Sequence, residues 1–161
     1  MKLCKLTSRL AIAGTLCLAA LLSAAALPAV KNMAVVVAAS SRLSDVSLAE
    51  LVKLCKGTQK TWADGKAFTL VIRDPQAPEM RVADEKLFGV EPTEMKALIA
   101  KLNESRVVIR VVESDEDLLR TVASTPGAVG ILDVYSINSS VKVLRVDTKL
   151  PFDVGYPFKG N

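Results

Sequence analysis

Residues Met33 to Ala38, "MAVVVA", form an unbroken apolar run with three consecutive valines. β-Branched side chains without a polar alternation fit a strand buried on both faces rather than one with a wet side. Such a strand needs a covering layer above and below it, and helices flanking a sheet are the common way to supply both. The rest of the chain has the pieces for this. Ser47 and Glu50 stand three apart, as in a capping box. Leu48, Leu51, Val52 and Cys55 then fall on one face of a short helix, which Gly57 ends.

Further along, Asp64-Gly65 marks a turn, and Phe68 to Ile72 reads as a second strand. A helix is expected from Pro78 or Glu79 to Phe88, facing Met80, Ala83 and Leu87 inward, with Gly89 as its stop. Another starts at Pro92 and buries Met95, Leu98, Ile99 and Leu102. Val107 to Val112 is a third strand. Ser114 caps a helix with inner residues Leu118, Leu119 and Val122. Ala128 to Leu132 and Val141 to Val146 are the last strands. The order β-α-β-α-α-β-α-β-β implies one α/β domain with a mixed, mostly parallel sheet flanked by helices. The tail from 147 to 161 is expected to be peripheral.

Residues 1–26 stand apart from this domain. Lys2, Lys5 and Arg9 precede an apolar run from Leu10 to Leu22, then Ser23-Ala24-Ala25-Ala26. A basic start, an apolar middle and small residues at the end describe a cleaved signal peptide. The run is short and alanine-rich for a permanent anchor. Leu16 before Cys17 is not the small residue a lipid-attachment site needs. The expectation is export to the periplasm, a domain over 27–161, and no membrane contact after cleavage. The whole chain carries 21 basic and 17 acidic residues. Three of the basic ones lie in 1–26, leaving 18 against 17. No basic stripe of the kind that grips nucleic acid remains. Cys55 is the single cysteine left, so no intrachain disulfide is expected, and its place on an apolar helix face marks a small core residue.

The chain has no histidine. That removes the usual general base, the usual triad and the commonest metal ligand. No P-loop or GxGxxG occurs. "SDEDLL" reads as a helix's acidic first turn, and "TPGAVG" as a turn into a strand. No enzyme, metal or cofactor is expected.

"SLAELVKLCKGTQKTWADGK" resembles a stretch of phosphate ABC-transporter substrate-binding proteins that runs L-S-x-x-x-L-x-x-I-F-x-G-x-x-x-x-W-x-D-G. The matching positions are Ser47, Leu51, Cys55, Gly57, Trp62, Asp64 and Gly65, with Cys55 where phenylalanine is usual. "TLVIRD" is similar to that family's strand ending in arginine. "SDEDLLRTVASTPGAVGILD" resembles its capped helix followed by T-P-G-A-I-G-Y, carried by Thr125 to Ile131. The resemblance spans about 46 to 146. It implies a periplasmic type-2 binding-protein fold and no catalysis. Family members close two lobes over phosphate, whereas this chain has the size of one lobe and resembles the family's short, single-lobe-like relatives. A dimer would rebuild the missing half.

In that family the strand-end arginine is followed by Ser-Gly-Thr at a helix start, where hydroxyls and backbone N–H groups meet the anion. The corresponding stretch is "RDPQAPEMR", residues 73–81, with Arg73 in the arginine position and Ala77, Pro78 and Glu79 near the Ser-Gly-Thr positions. Ala77 has no hydroxyl, Pro78 no N–H, and Glu79 brings its own negative charge. Two lost donors weaken such a site by roughly 10²- to 10⁴-fold. Arg73 is either an anion contact or a surface arginine paired with Asp74 or Glu79. Trp62 is either a turn anchor or a stacking platform for a ligand. Ser40 and Ser41 follow the first strand, at a carboxyl end, where open α/β sheets place ligands. The candidate ligand-binding set is Ser40, Ser41, Arg73, Gln76, Ala77 and Glu79. The expected role is a non-catalytic binding or interaction module with a degraded anion loop, its partner a small phosphate-like anion or a periplasmic protein. The alternative is a solute-binding protein for phosphate or another small anion, serving a transporter or sensor.

Overall fold

The computed structural model describes residues 31–160; the expected signal segment lies outside them. Among the described residues, seven strands and four helices follow one another. They are β1 (Met33–Ala38), β2 (Asp45–Val46), α1 (Leu48–Cys55), β3 (Thr69–Ile72), α2 (Arg81–Leu87), α3 (Pro92–Glu104), β4 (Val108–Val111), α4 (Asp115–Ser124), β5 (Ala128–Asp133), β6 (Val141–Val143) and β7 (Arg145–Val146). Short 3₁₀ turns at Pro78–Met80 and Val134–Ser136 lead into α2 and out of β5.

The main sheet has the order β4-β3-β5-β1-β6. β3 runs parallel to β4 and β5, while β1 is antiparallel to β5 and β6. Four strands thus share one direction and β1 alone is reversed, so the sheet is mixed and mostly parallel. β1 alternates between two cores. Met33, Val35 and Val37 pack with Leu51, Leu54, Leu87, Met95 and Ile99 of α1, α2 and α3. Ala34 and Val36 face Leu118 and Val122 of α4. The continuous apolar run follows from this double burial. Gly130 on β5 brings α4 close, since a Cβ there would lie 2.6 Å from Leu118 Cδ2.

The caps fall where the sequence places them. Ser47 Oγ accepts from Glu50 N, and Ser114 Oγ accepts from Asp117 N, both at 3.1 Å. Helix α3 ends differently. Arg106, with φ of 65°, occupies the left-handed position that usually goes to glycine. Its N–H donates to Asn103 O, and that of Val107 to Leu102 O. Strain of about 1–2 kcal/mol for a side chain in this conformation exceeds the roughly 0.4–1 kcal/mol that glycine loses through unfolded-chain entropy. Arg106→Gly is expected to raise the urea midpoint by an amount worth about 0.5–1 kcal/mol, while Arg106→Ala leaves it near wild type.

Two expectations need correction. The anticipated strand from Val141 to Val146 is broken at the buried Leu144. Its second half leaves the main sheet and pairs in parallel with β2 as β7. The tail is also not peripheral. β6 is too short to cover all of β1, pairing only with Val36 to Ala38. The tail supplies partners for the rest. Met33 N donates to Phe158 O, and Val35 N donates to Tyr156 Oη, both at 3.3 Å. The Tyr156 and Phe158 rings meet edge to face at 5.8 Å in the core, and Phe158 is fully buried.

Candidate functional site

Strand directions decide which candidates can meet. Arg73 follows β3 and lies at the carboxyl ends of β3 and β5. The reversed β1 carries Ser40 and Ser41 to the other end of the sheet, beside the start of β5. They line a cleft of about 250 Å³ there, with Lys66, Ser124, Thr125 and Gly127 among its walls. Ser40 and Ser41 therefore do not share an end of the sheet with Arg73. A strand's carboxyl end is a common ligand edge only when that strand runs with its neighbours.

At the Arg73 end the loop is held by its own bonds. Gln76 N donates to Asp74 Oδ1 at 3.0 Å, and Ala77 N donates to Asp74 O at 3.0 Å. Ala77 precedes the 3₁₀ turn without a side-chain cap, and Pro78 is its first residue. Arg73 pairs with neither Asp74 nor Glu79. Its Nη1 lies 2.5 Å from Asp115 Oδ1 at the start of α4, and Asp115 Oδ2 accepts from Ser136 Oγ at 2.5 Å. Arg73 Nε is buried and has no hydrogen-bond partner among the described residues. Glu79 lies 3.7 Å from Lys31 Nζ, which is also 3.8 Å from Asp133.

The charge balance of this end is negative. Arg73, Lys31 and Lys96 stand against Asp74, Glu79, Asp115 and Asp133. Partial burial pushes the Asp115 carboxyl upward, but the Ser136 hydroxyl and the Arg73 guanidinium outweigh it and hold it below the usual carboxylate range. Asp115, Glu116 and Asp117 fill the first turn of α4, so the helix's electropositive end is already offset by carboxylates.

Trp62 is an anchor for its turn. It is buried, meets Phe68 edge to face at 5.7 Å, and donates from Nε1 to Gly127 O at 2.9 Å. Cys55 is buried, and desolvation pushes its thiol well above the ordinary range, leaving it un-nucleophilic. No group of three or more His, Cys, Asp or Glu among the described residues is placed to hold a metal ion. No described helix is long and apolar enough to cross a membrane.

Two carboxylates escaped the sequence reading. Asp115 was legible only as one of several acids in a helix's first turn, and nothing local links it to an arginine 42 residues earlier. Asp84 is the second. It is 1% exposed, and its Oδ2 has no partner among the described residues. Burial pushes its carboxyl up to about 7. A signal for it existed, because Asp84 is four residues after Met80 and three before Leu87, on the buried face by helical period.

No family model matches this chain. Phosphate-binding protein PstS 2 of Streptococcus agalactiae serotype V is 38% identical to it over 64 residues, 40% of this chain and 21% of that protein. The serotype III protein of the same name gives the same figures. An ABC-type phosphate transport receptor from Vibrio cholerae superposes with a TM-score of 0.64 at 17% identity, covering 81% of this chain and 54% of that one. A phosphate ABC transporter substrate-binding protein with bound phosphate from Clostridium perfringens gives 0.56 at 13% identity, covering 74% and 48%. PstS from Borrelia burgdorferi gives 0.54 at 15%, covering 74% and 48%. The chain is phosphate-binding-protein-like in sequence over part of its length and in fold over most of it. It spans about half the length of these solved structures and about a fifth of the curated relatives.

Proposed function

We propose that this chain is an exported, non-catalytic binding or interaction module of the phosphate-binding-protein type, in which the anion loop no longer holds its anion tightly. The observation that carries this reading is the Arg73–Asp115 pair at 2.5 Å. An anion arriving at Arg73 would have to displace a carboxylate that is already bonded on both oxygens. It would do so beside Glu79 and in front of the acidic first turn of α4. The donors of the loop add little, since Gln76 and Ala77 spend their N–H groups on Asp74.

The same end of the domain presents apolar surface. Tyr135, next to Ser136, is 83% exposed. Phe152 is also exposed, its ring 6.4 Å from that of Tyr135. Exposed aromatic side chains paired in this way favour a protein partner, a second copy of the chain included. The competing reading, a solute-binding protein for phosphate or a similar anion, has the buried, unpartnered Arg73 Nε in its favour.

Calorimetry with inorganic phosphate separates the two. Binding weaker than about 1 mM, corresponding to roughly 4 kcal/mol, is expected for the wild-type chain. Asp115→Asn frees the guanidinium and should tighten phosphate by about tenfold or more. Micromolar binding to wild type that vanishes in Arg73→Ala would instead establish a working anion site and end the degraded-loop reading.

A further inference from the structure

A cavity of about 550 Å³ opens at the amino end of β4, the far end of the sheet from Arg73. It lies among the ends of α1, α2 and α3. Phe88, Leu98, Leu102 and Val107 make its apolar lining, and Lys56, Lys60 and Lys101 line it too, with no acidic side chain among its walls. Its volume falls within the range of small-molecule sites, about 300–1,000 Å³.

Lysines at helix ends commonly serve the helix itself, by satisfying its last carbonyls. Here that work is done by other donors. At the end of α1, Val52 O accepts from Lys56 N, Leu54 O from Gly57 N, and Lys53 O from Gln59 N and Thr58 Oγ1. At the end of α3, Lys101 O accepts from Ser105 N and Oγ, Leu102 O from Val107 N, and Asn103 O from Arg106 N. Lys60 Nζ donates to Ser105 O at 3.2 Å. The ammonium groups of Lys56 and Lys101 are left without a hydrogen-bond or ion-pair partner among the described residues.

We propose that this cavity binds an amphiphilic carboxylate, with an aliphatic body against Phe88, Leu98, Leu102 and Val107 and its anionic head between Lys56 and Lys101. Charge complementarity selects the class. The methylenes of the aliphatic body gain by leaving water, and the lysines accept a carboxylate while disfavouring an ammonium head. The site is remote from Arg73, so phosphate does not compete with it, and its failure or success leaves the reading of Arg73 untouched.

The test is titration of the purified chain with monomeric laurate, dodecanol and dodecylammonium, followed by backbone amide shifts in the second half of α3 and the start of β4. Laurate is expected to saturate these shifts with a dissociation constant below about 100 µM, at least about tenfold tighter than either of the other two. The charge-reversed double variant Lys56→Glu/Lys101→Glu changes only exposed positions, so it should fold. It should bind laurate at least about tenfold more weakly and come to prefer dodecylammonium. Laurate shifts that do not saturate, dodecanol binding as tightly as laurate, or an unchanged preference in the double variant would each overturn the assignment.

Discussion

Phe158→Ala is expected to destabilise the domain by about 3–5 kcal/mol, the cost of removing a buried aromatic ring and leaving a cavity. A peripheral residue would cost within about 0.5 kcal/mol. Phe158 is fully buried, stacks edge to face with Tyr156, and belongs to the same core as Met33 and Val35. The backbone bond from Met33 N to Phe158 O ties the tail to β1. Against a typical domain stability of about 5–15 kcal/mol, the substitution removes a large fraction. Denaturant titration measures it directly. A loss below about 1 kcal/mol would return the tail to the periphery. Phe152→Ala, at an exposed tail position, is the control and should change little.

Stability should also fall as pH rises from about 4 to 7, the interval between the ordinary aspartate value and the raised value of Asp84 in the fold. Within it the folded protein keeps a proton on Asp84 that the unfolded chain has released, so unfolding releases a proton. The stabilisation is complete below about pH 4 and gone above about pH 7, a difference of about 4 kcal/mol. Asp115 and Asp64 have lowered values and act in the opposite sense, withdrawing stability only as acid protonates them below the usual carboxylate range. Asp84→Asn should flatten the slope between pH 5 and pH 7, read from denaturation midpoints at several pH values. An equal slope in wild type and variant would mean that Asp84 is not the group responsible.

The residues show why some features were legible in the sequence and others were not. Caps at Ser47 and Ser114 are local chemistry, and so is the inward face of α2; each depends on neighbours within one turn. The double burial of β1 was legible because its composition has a single structural explanation. Its direction was not, because a run of valines pairs equally well with either polarity of neighbour. That one ambiguity left open which end of the sheet Ser40 and Ser41 would occupy. The site failed in the same way. The poverty of donors at Ala77 and Pro78 could be read directly, but the carboxylate that occupies Arg73 comes from another helix and the hydroxyl steadying it from another turn. Partners chosen by the fold leave no trace in local spacing.

The position of β1 also dictates an order of events. Its partners are Val129 to Asp133, Val141 to Val143, Tyr156 and Phe158, all about a hundred or more residues downstream. β1 leaves the ribosome well before any of them, and nothing it pairs with exists until roughly a hundred further residues have been made. Loop closure over such separations is slow. This interior strand of the sheet is therefore among the last to be locked, and until then its valines are exposed to any competing strand or chaperone.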